Sequence, residues 1–114
     1  MGGVRSFSTK TDLNEIVSGL WLGSLLVTKE KKVLTEHGIT HVLSLGHRPE
    51  TLPDNCENLF FDIADVEESD ISPVLPEAVA FITQAIESGG KVFVHCFAGV
   101  SRSGSCVVAY MMAS

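Results

Sequence analysis

The chain is poor in the residues that would commit it to several common ways of life. Lysine and arginine number only 8 against 14 aspartates and glutamates, a formal charge of −6. That balance excludes nucleic acid as a main partner, because phosphate backbones are held by clustered basic side chains. No apolar run approaches the roughly 18–20 residues that span a bilayer, and the N-terminus lacks the basic-then-apolar layout of a secretory signal. Cysteine is scarce: Cys56, Cys96 and Cys106 form an odd set with no CxxC pair and no Cys/His cluster of zinc spacing. A disulfide framework and a structural metal are both disfavoured, and a reducing cytoplasmic or nuclear setting is the simpler expectation. Hydrophobic residues make up 45 % and charged residues 19 % of 114 residues, which suits one small packed domain.

Residues 1–12 are Gly/Ser/Thr-rich and non-periodic and read as a flexible lead-in, leaving 13–114 as the folded domain. Glu15 to Gly23 reads as two short strands around the turn pair Ser18-Gly19. Ser24 can cap a helix from about Leu25 to His37, with Leu26, Val33 and Leu34 on its apolar side and Gly38 as its stop. Ile39 to Leu45 alternates like a strand, Gly46 to Glu57 is loop chemistry, and Leu59 to Ile63 is a short buried strand before an acidic loop, Ala64 to Asp70. A helix opens at Ser72-Pro73, carries the stripe Leu75, Ala78, Val79, Ile82, Ala85 and Ile86, and ends at Gly89-Gly90. Lys91 to His95 is a buried strand, and the segment from Ser105 to Ser114 is apolar nearly all round, as in a buried helix. Strands alternating with helices predict an α/β domain with a small mixed or largely parallel sheet flanked by helices.

The chemistry concentrates in His95-Cys96-Phe97-Ala98-Gly99-Val100-Ser101-Arg102-Ser103, between that last strand and that last helix. A loop at this point aims successive backbone N–H groups at one spot, and the helix adds the positive end of its dipole, which together suit a tetrahedral anion. Gly99 allows close approach of the backbone. The same donors would stabilise a thiolate on Cys96. Arg102, six positions on, can grip two phosphate oxygens with its planar fork. Nucleophile, cradle (Phe97 to Arg102) and clamp thus come from one nine-residue stretch. A bare Cys-x5-Arg means little, since a buried thiol and a helix-start arginine would satisfy it; the full string between strand and helix is far more specific.

HCFAGVSRS matches the HCxxGxxR(S/T) signature of the protein tyrosine phosphatase superfamily, in the HCxAGxSRS form of its dual-specificity members. IVSGLWLG, ITHVLSL, FDIADVEESDISPVLPEAVAFI and AYMM resemble further segments of that family, so the likeness covers about residues 14 to 112. The resemblance implies a phosphatase-type phosphate-binding loop and a small atypical protein phosphatase, dephosphorylating phosphotyrosine and phosphoserine/threonine in signalling proteins without metal or cofactor. It implies a phosphocysteine on Cys96, phosphate held by Arg102 and the loop amides, thiolate departure aided by Ser103, and His95 tuning the cysteine through hydrogen bonds.

The family's general acid is an aspartate about thirty residues before the cysteine, and Asp62, Asp65 and Asp70 compete for that place. Asp65 lies 31 residues before Cys96 and aligns when the SPVLPEAVAFI helix is the anchor, whereas Asp62 falls inside the predicted strand and Asp70 resembles a helix-entry residue. Glu67 and Glu68 would favour a protonated neighbour by like-charge repulsion.

Two other readings use the same residues: a phosphate-binding pseudophosphatase module, separated by a vanadate-sensitive burst of phosphate, and a rhodanese-type sulfur transferase, separated by a thiosulfate assay. Cys56 and Cys106 are expected to be a loop thiol and a small core hydrophobe, His37, His41 and His47 share no ligand spacing, and Trp21 is expected to pack in the core. Met1-Gly2-Gly3-Val4-Arg5-Ser6 fits the loose N-myristoylation pattern at Gly2, a weak single anchor. The family's domains continue past this point, so the domain is expected to be truncated at its C-terminal end, inside the helix after the loop. Composition leaves the oligomeric state open.

Overall fold

In the computed structural model, residues 13–29, 31–46, 48–62, 72–96 and 101–113 are described. The first strands, β1 (Leu13–Val17) and β2 (Leu20–Ser24), form an antiparallel hairpin turned at Ser18-Gly19. A 3-10 turn (Leu25–Lys29) and a short helix α1 (Lys31–Glu36) then lead to β3 (His41–Leu45) and β4 (Glu57–Phe61). A second 3-10 turn (Ser72–Val74) opens α2 (Leu75–Glu87), followed by β5 (Val92–Cys96) and α3 (Ser101–Ala113). The five strands lie in the order β1-β2-β5-β3-β4, and every pair except β1 with β2 is parallel. The expected mixed α/β sheet is therefore present, with β5 at its centre.

Alternation along the strands divides the core into two layers. Leu43 and Leu45 of β3 and Val92, Val94 and Cys96 of β5 join Ala78, Ile82 and Ala85 of α2 and Cys106 and Val107 of α3 in one buried cluster. Val42 and Phe93 face the other way and meet Val27, Leu34 and Ile39, with Trp21 packed against them. All five β5 residues are buried because both faces of the sheet are covered there. The N-terminal part of the core thus sits under α1, and the part beside Cys96 under α2 and α3.

Local chemistry explains where the elements stop. Pro76 in the first turn of α2 costs no hydrogen bond, as the donors there have no helical acceptor. The helix ends in a Schellman closure: Gly90 N–H donates to Ala85 O at 2.8 Å and Gly89 N–H to Ile86 O at 3.0 Å, with Gly89 at φ 89°.

Two boundaries and one burial pattern differ from the sequence expectation. The helix anticipated over Leu25 to His37 is a 3-10 turn and a separate six-residue α1. Strand β4 begins at Glu57 and ends at Phe61, so Asp62 lies beyond the strand and is exposed. Helix α3 is not buried all round: Cys106 and Val107 are 0 % and 3 % exposed, but Val108, Met111 and Met112 are 53 %, 45 % and 81 % exposed. Of the described elements, α2, β5 and β2 pack against it most closely, and Cys106 and Val107 are its buried residues.

Candidate active site

The strand register brings the candidate nucleophile to the middle of one sheet edge. Cys96 is the last residue of β5, paired in register with Ser24 of β2 on one side and Leu45 of β3 on the other. Leu45 pairs in turn with Phe61. The C-terminal ends of four parallel strands therefore form a single edge, the place where open α/β sheets hold ligands. Five residues after Cys96, Ser101 starts the thirteen-residue α3, so the end of β5 feeds the positive end of a helix dipole. Ser101, Arg102 and Ser103 form the first turn of that helix. Phe97, Ala98, Gly99, Val100, Asp65 and Gly2 lie outside the described residues, as do the side chains of Ser101, Arg102 and Ser103.

Cys96 is 0 % exposed and faces the α2/α3 layer, while His95 is equally buried on the opposite face. His95 Nδ1 is 3.3 Å from the Cys96 carbonyl oxygen, and its Nε2 is 2.8 Å from Ser44 Oγ. Phe93 stacks on the imidazole at a centroid distance of 5.5 Å and an interplanar angle of 18°. Ser44 is completely buried, and its Oγ accepts a hydrogen bond at 3.0 Å from Nδ2 of Asn58. The sequence reading assigned no role to Ser44 or Asn58. A serine in the otherwise apolar run Val42-Leu43-Ser44-Leu45 was the available signal, because a buried hydroxyl requires partners.

Cys106 shares the cluster of Cys96. Burial, and secondarily negative charge on Cys96, push its thiol up to about 11. It is therefore held as a neutral thiol, consistent with a small core hydrophobe rather than a second nucleophile. Cys56 donates its S–H to the Ile39 carbonyl at 3.0 Å, and burial raises its pKa as well. Trp21 packs edge-on against His37 at 4.8 Å, with its indole N–H buried and lacking a hydrogen-bond acceptor among the described residues. Among the described residues no group of three or more His, Cys, Asp or Glu side chains could hold a metal, and no helix is long and apolar enough to cross a membrane.

Comparison with known proteins agrees with this geometry. Residues 20–114 match the family model described as "Dual specificity phosphatase, catalytic domain". The chain is 42 % identical over 102 residues to dual specificity protein phosphatase 1B of Arabidopsis thaliana, a match covering 89 % of this chain and 61 % of that protein. It is 35 % identical over 100 residues to dual specificity protein phosphatase 22-A of Danio rerio, covering 88 % and 48 %. The chain thus spans about half the length of these relatives, 61 % and 48 % respectively. Among solved structures, DUSP15 superposes with a TM-score of 0.80 at 34 % identity, covering 88 % of this chain and 64 % of that one. A human tyrosine phosphatase-like serine/threonine/tyrosine-interacting protein superposes with the same TM-score of 0.80 at 34 % identity, covering 90 % and 73 %. A family match over five-sixths of the sequence, reinforced by the shared fold, means that this chain belongs to the dual specificity phosphatase catalytic-domain family.

Proposed function

We propose that the chain is a protein phosphatase that hydrolyses phosphotyrosine and phosphoserine/threonine through a phosphocysteine on Cys96. The observation that carries this reading is the position of Cys96: the buried last residue of the central strand, five residues before the start of α3. Family membership supports phosphoprotein substrates.

In the first step the Cys96 thiolate attacks phosphorus in line, the ester P–O bond breaks, and Asp65 gives its proton to the departing oxygen. In the second, Asp65 takes a proton from water as that water attacks phosphorus, the P–S bond breaks, and inorganic phosphate leaves with the thiolate restored. Arg102 and the amides of Phe97 to Arg102 hold the equatorial oxygens through both steps, and Ser103 assists departure of the thiolate. Such chemistry needs a reduced cysteine, which fits a cytoplasmic or nuclear setting.

Turnover of an aryl phosphate by Cys96→Ser, Asp65→Asn and Asp62→Asn tests the assignment. Cys96→Ser is expected to be inactive, and activity retained by that variant would refute the reading. Asp65→Asn is expected to lose kcat with little change in KM, the mark of a transition-state role. Asp62→Asn is the necessary control, since this exposed carboxylate lies just past β4 on the same sheet edge. A loss confined to Asp62→Asn would transfer the acid role to it.

A further inference from the structure

We propose that Asn58 and Ser44 are positioning residues that hold the buried His95 as its neutral Nδ1–H tautomer, with that proton directed to the Cys96 carbonyl. The inference deepens the phosphatase reading and rests on it for its catalytic consequence, but the tautomer itself is an independent physical claim.

Donors and acceptors settle the tautomer. Nδ2 of Asn58 lies 3.0 Å from the Val42 carbonyl oxygen and 3.0 Å from Ser44 Oγ. A backbone carbonyl can only accept, so the side-chain atom facing it must be the NH2 group, and this fixes which way round the amide sits. One hydrogen goes to Val42 O and the other to Ser44 Oγ. Ser44 is in register with His95 on the neighbouring strand, and its Oγ is 2.8 Å from Nε2. With one lone pair taken by Asn58, the hydroxyl directs its single proton at Nε2, so Nε2 accepts and the ring proton resides on Nδ1. Nδ1 is 3.3 Å from the Cys96 carbonyl oxygen and is the donor of that contact. The opposite arrangement, with Nε2–H donating, would make Ser44 Oγ accept twice and leave its own hydroxyl proton needing another acceptor in a fully buried site. Phe93 fixes the plane of the ring and Ser44 its rotation. The relay thus runs across three strands, from an exposed asparagine on the sheet edge to the peptide carbonyl of the proposed nucleophile.

Reversing the polarity of the outermost member gives the sharpest test. Asn58→Asp replaces the donor by an acceptor, so Ser44 would donate outward and accept from Nε2–H. Long-range 1H–15N correlation spectra of 15N-labelled protein distinguish the two tautomers, with the His95 signals assigned from their disappearance in His95→Gln. The wild type is expected to show the Nδ1–H pattern, Asn58→Asp to move towards Nε2–H, and Asn58→Ala, an exposed change that spares the fold, to show a mixture. An Nε2–H pattern in the wild type, or one that is the same in all three proteins, would overturn the proposal. Iodoacetamide inactivation of Cys96 at fixed pH reads the consequence: about a fivefold slower rate in Asn58→Asp, the size of one net hydrogen bond. An unaltered inactivation rate would remove the link to the cysteine. If the tautomer shifts as expected while every form lacks phosphatase turnover, the relay stands and the functional reading fails.

Discussion

Cys106 of α3 and Cys96 of β5 occupy one buried apolar cluster, and the first of these thiols is pushed up to about 11 by burial and by negative charge on the second. The consequence for stability has a definite sign. From its ordinary value of 9.0 up to about 11, Cys106 of the unfolded chain loses its proton while that of the folded chain keeps it. The contribution is fully present below 9.0 and is lost as the pH rises through the folded value. Over the whole window the loss amounts to about 2–3 kcal/mol. Urea unfolding of wild type and Cys106→Ala on either side of this window should show a steeper alkaline decline for the wild type. Parallel declines would mean that Cys106 contributes none of it.

A second relationship lies at the opposite end of the sheet. A Cβ on Gly90 would lie 2.5 Å from Thr40 Oγ1, with Ala85 O at 3.0 Å and His41 Nδ1 at 3.1 Å. Thr40 Oγ1 cannot simply retreat, since it is bonded to Lys91 N at 2.9 Å, Lys91 O at 3.2 Å and His41 Nδ1 at 2.7 Å. Gly90→Ala should therefore cost about 2 kcal/mol by overpacking. Removing the obstructing hydroxyl should restore part of it, so Thr40→Ala and Gly90→Ala are expected to be less harmful together than their sum. Strict additivity in chemical denaturation would show that the clash is relieved elsewhere.

Much of this architecture was legible in the sequence, for reasons that particular residues make clear. The strand preceding Cys96 and the turn at Ser18-Gly19 follow from short-range patterns, and both are present. The stripe of α2 is borne out by the burial of Ala78, Ile82 and Ala85. Pattern failed where packing decided. The apolar composition of α3 suggested burial on all sides, whereas among the described residues Cys106 and Val107 are buried and Val108, Met111 and Met112 are exposed. The break between the Leu25–Lys29 turn and α1 has no proline or glycine to announce it. The Ser44–His95 contact joins residues 51 apart, and only the parallel register of β3 on β5 reveals it. The motif could name His95 but not the groups that orient it.

The core under the proposed site should be intolerant of cavities. Ile82 is 0 % exposed and belongs to the cluster that contains Leu45, Val94 and Cys96. Ile82→Ala is expected to destabilise the fold by about 3 kcal/mol, the lost transfer energy plus an incompletely collapsed cavity. Ile82→Val should cost only about 1 kcal/mol. Equal midpoints for the two variants in thermal or urea unfolding would contradict the close packing of α2 on the sheet.

The outer face of α3 should behave in the opposite way. Val108, Met111 and Met112 are 53 %, 45 % and 81 % exposed, so truncating or charging them removes little buried area. Val108→Glu and Met112→Lys are each expected to change stability by less than about 0.5 kcal/mol. Both changes also break up a run of exposed apolar side chains, the kind of surface that drives association. Binding of a hydrophobic dye and concentration-dependent light scattering should therefore fall in the double variant while its unfolding midpoint stays put. A large loss of stability instead would mean that these side chains are covered in solution, by a second copy or by chain beyond the described residues.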